Sequence, residues 1–249
     1  MANYYSISKT DKIFIPGWLC EDLFEDKSYI PKENYSFDLS MFEYVLHRRK
    51  ENSKLCYWYP ILVKHKIPII PSKIIELQKL PSIDFRNQLD FETEDIFVRC
   101  CNASPKDTKC IFDIFDDTKD IFDAIKTSKR AILDCHLILR PVVKIRYEFR
   151  AFWHDHQLRA ICAFSYIDET QKENIKGQLT SFFDIHKIPF NSVTVDVAIL
   201  ENDDVVIVEL NEFGFESRAS AELYRWNEDY MILYHSLTPN FRFKKEFEW

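Results

Sequence analysis

The sequence predicts an α+β fold built from antiparallel hairpins and separate helices. Alternating apolar and polar residues at 131–166 and 192–211 surround short polar turns, which is typical of β-hairpins. Other segments carry apolar residues three and four positions apart, as amphipathic helices do. An apolar fraction of 46% and an aromatic fraction of 15% are sufficient for a packed core.

The N-terminal half is predicted to contain two helices separated by extended segments. Residues 36–50 have a helical period, with Ser40 as a possible N-cap. Residues 57–80 contain three prolines, which favour extended segments over helix. Residues 117–130 are predicted to be helical because Asp residues lie in the first turn of an apolar-periodic segment. The apolar faces of the two helices are Phe42, Val45 and Leu46 in the first and Ile121, Phe122 and Ile125 in the second.

The C-terminal half is predicted to hold both hairpins and two more helices, over 172–187 and 219–236. The first hairpin turns at residues 154–157. His154 and His156 are spaced as a metal-ligand pair could be, but we interpret them as part of a solvated turn.

Composition excludes several classes of protein. A net charge of −7 argues against a broad nucleic-acid-binding surface. No apolar run approaches the roughly 20 residues of a membrane span, and the N-terminus lacks a signal-peptide core. The seven Cys residues form no Cys-x-x-Cys motif, so we expect reduced thiols in a cytoplasmic protein, without disulfides or a zinc site.

The glycine content restricts how a nucleotide could bind. The chain contains three glycines, Gly17, Gly177 and Gly214, which are far apart. A Walker loop or a dinucleotide-binding fingerprint needs glycines close together. Any nucleotide must therefore be held by side chains and ordinary strand backbone.

The hairpin at 192–211 brings acidic residues together. With Asn202 and Asp203 as a two-residue turn, Asp196 faces Glu209 across the strands, and Asn211 is a diagonal neighbour on the same face. The opposite face is predicted to be a core surface formed by Val195, Val197, Ile199, Val206, Val208 and Leu210.

Two carboxylates opposed in a sheet repel each other, so a compensating charge is needed. Magnesium is one candidate, because it takes oxygen ligands from one or two carboxylates plus substrate phosphates. The alternatives are that Asp196 and Glu209 are solvated or paired with arginines, or that the turn slips by one residue and separates them.

Basic residues that could face this cluster lie elsewhere in the chain. Arg140 ends one predicted strand, Arg150 lies beside Glu148 on one face of the next, and Lys106 lies in a loop. Arginine forks and a lysine point charge suit a triphosphate. Taken singly, each such residue is more often part of a surface ion pair.

Five segments, taken in order, resemble the cell division cycle protein 123 (D123) family, and the similarity runs from about residue 56 to residue 229. Residues 1–55 are not placed by it, so we predict an N-terminal segment at 1–55 and one two-lobed domain at 56–249. The segments are CYWYPILVKHKIPIIPSKIIEL (56–77), FVRCCNASPKD (97–107), DIFDAIKTSKRAILD (120–134), LILRPVVKIRYEFRAF (137–152) and VTVDVAILENDDVVIVELNEFG (193–214).

The resemblance implies an ATP-grasp-like fold, in which two lobes with antiparallel sheets enclose ATP without a Walker loop. It also implies an ATP- and magnesium-binding assembly factor for eukaryotic translation initiation factor 2, acting through the gamma subunit of that factor. By residue matching, the metal ligands would be Asp196, Glu209 and Asn211. The ATP-binding residues would be Arg99, Ala103, Lys106, Arg140, Val142, Val143, Arg150, Asp196, Glu209 and Asn211.

The chain departs from the family pattern at several positions. Arg99 replaces a usual Lys and Glu209 a usual Asp, both with the same charge, and Cys101-Asn102 replaces Asn-Trp. Ala163-Phe164 replaces a usual Gln-Arg, which removes a cation from the expected pocket. This loss favours an assembly factor over the alternative, an ATP-grasp ligase that activates a carboxylate or other oxyanion by phosphorylation. A nucleotide-binding interaction protein without turnover is a third possibility.

Overall fold

The computed structural model of the chain describes residues 13–15, 35–37, 54–76, 89–101, 104–113, 118–129, 136–214 and 220–245. In chain order its elements are β1 (Ile13–Ile15), β2 (Tyr35–Phe37), α1 (Leu55–Lys64), β3 (Lys73–Glu76), β4 (Asp95–Cys100), β5 (Ile111–Asp113), α2 (Thr118–Thr127), β6 (His136–Pro141), β7 (Ile145–His154), β8 (Gln157–Tyr166), α3 (Glu169–Ile185), β9 (Ser192–Leu200), β10 (Val205–Asn211), α4 (Tyr230–His235) and β11 (Asn240–Lys244).

The strands form a five-stranded sheet in the order β10-β9-β7-β8-β11, a four-stranded sheet in the order β3-β6-β4-β5, and a pair β1-β2. The four-stranded sheet is antiparallel throughout, as predicted. The five-stranded sheet is mixed, because β11 runs parallel to β8. Both long hairpins, β7-β8 and β9-β10, are confirmed.

The five-stranded sheet is covered on one face by α1 and α3. Alternate residues of its strands point towards these helices and form the largest core cluster. Asp168 caps the N-terminus of α3, accepting a hydrogen bond from the Thr170 N–H at 2.9 Å. The main residues of this core cluster are Trp58 and Leu62 of α1, Leu179 and Phe183 of α3, and Phe149, Ala151, Val195 and Val197 of the sheet.

The other face of this sheet divides into an aromatic half and a charged half. The segment after β10 covers the aromatic half, where Phe213, Tyr224, Trp226 and Tyr234 pack on Phe152. The charged half carries Arg150 and Asp196. The charged half lies beside the four-stranded sheet, since Glu209 of β10 pairs with Arg99 of β4.

The four-stranded sheet has its own core on the side facing α2. Ile121 and Ile125 of α2 are buried there against Ile96, Val98 and Leu139, as the helical period predicts. The side chain of Phe122, and the predicted helix around Phe42, Val45 and Leu46, lie outside the described residues. The next residues along each strand point towards the five-stranded sheet, because side chains alternate.

The extended structure predicted for 57–80 is wrong over its first part. Residues 55–64 form α1 with Pro60 inside the helix. Proline removes one helical hydrogen bond and costs about 3 kcal/mol in a helix interior. Burial of Leu55, Trp58 and Leu62 on one face of α1 outweighs that cost.

The predicted helix at 219–236 is also wrong for most of its length, because α4 spans only Tyr230–His235. Residues 221–229 instead form turns, in which Asp229 accepts a hydrogen bond from the Arg225 N–H at 2.8 Å and pairs with Arg242. These turns place Tyr224 and Trp226 in the aromatic cluster, so tertiary packing overrides the helical pattern.

The turn of the β9-β10 hairpin differs from the prediction by one residue. Leu200 pairs with Asp204 around a three-residue loop whose last residue, Asp203, has φ 68°. A β-bulge at Val208 then shifts the register back, so that Asp196 does pair with Glu209. As a consequence the core surface uses Ile207 and not Val206 or Val208.

The β7-β8 hairpin turns on Asp155 and His156, which have φ 54° and 56°. His154 is not solvated as predicted, because it ends β7 and is 2% exposed. Its ring stacks on Phe213, and its Nδ1 lies 2.8 Å from the Ser192 hydroxyl. The histidine pair is therefore divided between the core and the turn.

The prediction that all cysteines are reduced is wrong for one pair. Cys56 of α1 and Cys101, directly after β4, are joined as a disulfide with their Cα atoms 5.7 Å apart. Their 45-residue separation in the sequence gives no signal of this contact. Cys100, Cys110 and Cys162 are free thiols.

Candidate functional site

A cluster of charged side chains lies where the edge strand β10 meets the four-stranded sheet. It combines residues from β4, β6, β7, β9 and β10, and each points away from the core of its own sheet. Arg99, Arg140, Arg150 and Asp196 are each less than 9% exposed. Burying an unpaired charge costs on the order of several kcal/mol of folding free energy. These side chains must therefore pair with one another or with a bound ligand.

Asp196 and Arg150 form the deepest pair of the cluster. Arg150 Nε donates to Asp196 Oδ1 at 2.8 Å and Nη2 donates to Oδ2 at 2.9 Å, so the ion pair is bidentate. Asn211 Nδ2 donates to the same Oδ2 at 3.1 Å, which confirms the predicted proximity of Asn211 to Asp196. Arg150 Nη1 also donates to the backbone oxygen of Ser220 at 2.7 Å.

Glu209 is paired with Arg99 across the gap between the two sheets. Arg99 Nη2 donates to Glu209 Oε1 at 2.7 Å. Both carboxylates of the predicted metal site therefore form ion pairs with arginines. Pairing with arginines was one of the alternatives to a metal site that the sequence left open. Within the part of the chain that the structure describes, Glu209 Oε2 has no hydrogen-bond partner, and the Glu209 side chain remains 29% exposed.

Arg140 makes side-chain hydrogen bonds only to neutral groups among the described residues, although the charge of Glu209 also acts on it. Its Nε donates to the Ser72 hydroxyl at 2.8 Å and its Nη1 to the Val208 backbone oxygen at 2.7 Å, both neutral acceptors. The bulge at Val208 interrupts the ladder at the carbonyl that Arg140 uses. Among the described residues, Arg140 Nη2 has no partner although it is buried. Burial, assisted by Arg99, lowers the pKa of Arg140 to about 9, so the guanidinium remains charged at neutral pH.

The remaining predicted ATP-binding residues that the structure describes lie outside the hydrogen-bonded part of the charged cluster. Lys106 lies close enough for its charge to oppose the rise in the pKa of Glu148 and to help lower the pKa of Glu209. Val142 and Val143 form the connection from β6 to β7, between the two sheets, and Val142 is 42% exposed. Ala103 lies outside the described residues.

Ala163 and Phe164, at the positions where a Gln-Arg pair was expected, have separate roles. Ala163 is buried in the core cluster beneath the five-stranded sheet. Phe164 lies on the other face, where its ring centroid is 5.0 Å from the guanidinium carbon of Arg150. The ring supports the same guanidinium that holds Asp196, through a cation–π contact.

The electrostatics differ between the carboxyl groups. Burial raises the pKa of Asp196 although Arg150 partly offsets the effect. Burial also raises the pKa of Glu148, and the charge of Asp196 raises it further. Burial would raise the pKa of Glu209 as well, but the charge of Arg99 and its hydrogen bond bring it below the ordinary value. Glu209 is consequently ionised at neutral pH.

The donor set is compatible with a hard divalent cation. Asp196, Glu209 and Asn211 present only carboxylate and amide oxygens, which are the ligands magnesium prefers. The amide of Asn211 can present either its oxygen or its nitrogen to a neighbour. Asp196 Oδ1 accepts one hydrogen bond, from Arg150, and has lone-pair capacity left, whereas Oδ2 accepts from both Arg150 and Asn211. Glu209 Oε2 is unused within the described residues.

Sequence reasoning missed the residues that support this cluster. Ser72, Ser220 and Glu222 contact the arginines through separations of 68 to 72 residues. Glu148 was placed on the face of Arg150 but given no role. The alternation of side chains along β7 places Glu148 on the same face as Arg150 and could have indicated that it belongs to the cluster. No local sequence pattern indicates Ser72, Ser220 or Glu222.

No helix among the described residues is long and apolar enough to cross a membrane.

Comparisons with known proteins agree on one family. The D123 family model matches residues 93–246. A protein of Acanthamoeba polyphaga mimivirus, named "Putative CDC123-like protein L884", is 24% identical in an alignment that covers 97% of this chain and 96% of that protein.

A solved Cdc123 structure shows the same relationship at the level of fold. Cdc123 from Schizosaccharomyces pombe superposes with a TM-score of 0.60 at 15% identity, covering 80% of this chain and 98% of that chain. A D-alanine-D-alanine ligase from Coxiella burnetii has a TM-score of 0.44 at 16% identity, covering 66% of this chain and 50% of that chain. The predicted α+β fold class is confirmed by the superposition on Cdc123, and the family model's match over residues 93–246 means that the chain belongs to the D123 family.

Proposed function

We propose that this protein binds ATP together with magnesium in the charged cluster between its two sheets. The observation that carries the proposal is Arg140, a buried guanidinium whose two hydrogen-bond acceptors are neutral and whose Nη2 has no hydrogen-bond partner among the described residues. A bound anion would give that group the partner it lacks, and a phosphate group suits a guanidinium fork.

The residues divide between the parts of magnesium-ATP. Arg99, Arg140 and Lys106 would hold phosphate oxygens, and Arg150 would keep Asp196 ionised and oriented. Asp196, Glu209 and Asn211 would hold the magnesium ion, which neutralises phosphate charge when bound. Val142 and Val143 would border the adenine, and Ala103 would belong to the ATP-binding residues by family resemblance.

The activity that we propose is assembly of a protein complex. By family resemblance, the client is the gamma subunit of eukaryotic translation initiation factor 2, and the cytoplasm is the place of action. ATP bound across two sheets would stabilise one arrangement of the lobes, and a ligand present at a hundred times its Kd contributes about 2.7 kcal/mol to the state that binds it. That is enough to control whether a client surface forms.

The alternative activity is that of an ATP-grasp ligase, which would phosphorylate a carboxylate or other oxyanion. Such chemistry needs cations at the acceptor site to stabilise developing charge. The position expected to supply one holds Phe164, whose ring lies against Arg150. This contact favours the assembly factor.

A substitution at Arg140 tests the nucleotide site. Arg140→Met removes the charge but keeps the bulk, so the unliganded protein should melt at the same temperature or higher. ATP binding should weaken by roughly 10- to 150-fold, which corresponds to about 1.5–3 kcal/mol for hydrogen bonds to a charged group. Arg146→Met, at an exposed pair with Asp203, is the matched control. Normal ATP binding by Arg140→Met would contradict the assignment.

A capture experiment tests the client. Immobilised protein should retain the purified gamma subunit more tightly with magnesium-ATP than without it, and the subunit should raise ATP affinity by the same factor. ADP release that depends on a small amine or carboxylate acceptor, with no capture of the subunit, would favour the ligase.

A further inference from the structure

The N-terminus of α1 is capped by a residue from another element. The helix has no side-chain cap of its own and no acidic residue in its first turn. Instead, the Leu55 N–H donates to the backbone oxygen of Cys101 at 3.1 Å, and the Cys56 N–H donates to the Cys101 sulfur at 3.2 Å. Cys101 thus satisfies two of the N–H groups that a helix start leaves open.

A third reactive group lies beside this contact. The ligand-type atoms of Cys56, Cys101 and His136 are all within 4.8 Å of one another. Cys56 is half-buried and is the second residue of α1, where the positive end of the helix favours a thiolate. Cys101 is 2% exposed. The pair therefore combines one sulfur that an oxidant can reach with one held next to it.

The positions of Cys56 and Cys101 mean that a bond between their sulfurs would restrain the movement of the two sheets relative to each other. Cys101 directly follows β4, two residues after Arg99, in the four-stranded sheet. Cys56 belongs to α1, whose Leu55, Trp58 and Leu62 pack in the core cluster of the five-stranded sheet. A bond between Cys56 and Cys101 consequently links the two sheets at the edge of the charged cluster.

We propose that Cys56 and Cys101 form a reversible, redox-controlled crosslink that restrains the two sheets relative to each other and slows nucleotide exchange between them. The restraint follows from the fold alone, whereas its effect on exchange rests on the proposed nucleotide site. Disulfides that form in reducing compartments are usually transient or regulatory.

The chemistry needs a disulfide oxidant, for which oxidised glutathione is suitable. The Cys56 thiolate attacks one sulfur of the oxidant and releases one glutathione thiolate, leaving a mixed disulfide. The Cys101 thiolate then attacks the Cys56 sulfur and releases the second glutathione, with His136 positioned to accept the Cys101 proton. Two protein thiols are oxidised, and one glutathione disulfide is reduced to two thiols.

The first test measures the bond itself in the full-length protein. After treatment with oxidised glutathione, alkylation and peptide mass mapping should show Cys56 linked to Cys101, and dithiothreitol should restore both thiols. Oxidation should raise Tm by roughly 5 to 15 °C, the shift expected for a disulfide closing a loop of this length in a chain of this size. Cys56→Ser and Cys101→Ser should each abolish the linked peptide and the shift, while Cys110→Ser should preserve both.

The second test measures the restraint. Hydrogen exchange over 95–101 should be slower in the oxidised protein, and release of a fluorescent ATP analogue should slow at least fivefold. Absence of the linked peptide, or a metal ion that occupies the reduced triad and protects it from oxidation, would overturn the proposal, as would equal hydrogen exchange in both forms. If no nucleotide binds in either form, the proposed function fails, whereas the linked peptide and hydrogen exchange still decide the crosslink. Equal analogue release from both forms, with slowed hydrogen exchange, would overturn the control of exchange.

Discussion

Removing Arg150 should expose how strongly the charged cluster depends on internal pairing. Asp196 is 5% exposed and accepts two hydrogen bonds from Arg150, so Arg150→Ala leaves a buried carboxylate without its cation. Breaking a buried pair in this way costs about 3–5 kcal/mol. For a chain of this size the Tm should fall by roughly 6 to 20 °C. Arg146→Ala, at a more exposed pair, should cost at most about 1 kcal/mol.

The loss caused by Arg150→Ala should also depend on pH. The pKa of Asp196 is raised above its ordinary 3.8 in the folded protein, so the folded state binds that proton more tightly than the unfolded state does. Stability from this group is therefore highest at acid pH and falls as pH rises through the raised pKa. Removal of Arg150 removes an influence that lowers this pKa, and the window of falling stability then extends to higher pH.

Thermal melting of both proteins between pH 5 and pH 8 checks this account. The difference in Tm between wild type and Arg150→Ala should shrink towards pH 5, and Arg150→Met combined with Asp196→Asn should recover part of the stability. A loss of less than about 1 kcal/mol, comparable to an exposed pair, would refute the reasoning. So would a Tm difference that stays constant with pH.

Three further predictions concern the rest of the fold. Pro60→Ala should raise stability by up to about 3 kcal/mol in urea unfolding, because the exposed Pro60 interrupts α1; a lower stability would mean that the proline is needed. Trp58→Ala should lower the free energy of unfolding by about 3–5 kcal/mol in the same assay, since Trp58 is 1% exposed in the main core. A loss of stability under about 1 kcal/mol would contradict its packing role. Burial raises the pKa of Cys162 to about 12, so in the native protein at pH 8 iodoacetamide should alkylate Cys162 far more slowly than the half-buried Cys110; equal rates would contradict the burial.

The sequence predicted those parts of the fold that depend on local periodicity. Helices α2 and α3 and both long hairpins follow from the spacing of apolar residues. The pairing of Asp196 with Glu209 was predicted for an incomplete reason. The loop has one residue more than expected, and the bulge at Val208 compensates for it.

The contacts between distant segments could not be predicted. Arg99 meets Glu209 across 110 residues, and Arg150 meets Asp196 across 46. An arginine in a strand pattern has the same local signal whether it pairs with a carboxylate, a phosphate or solvent. The same limit explains why Cys56 and Cys101 were interpreted as separate thiols, and why burial of α1 against the sheet was underestimated relative to Pro60.

Calorimetric titration of ATP into the full-length protein, with magnesium and then with the metal chelated, tests the central claim most directly. Asp196 and Glu209 would repel a triphosphate that lacks its cation, whereas magnesium would join the carboxylates to the phosphates. The account predicts one ATP per chain with magnesium and at least tenfold weaker binding without it, and Asn211→Ala should behave in magnesium like the wild type in chelator. Equal affinity in both conditions, or no binding in either, would contradict the claim.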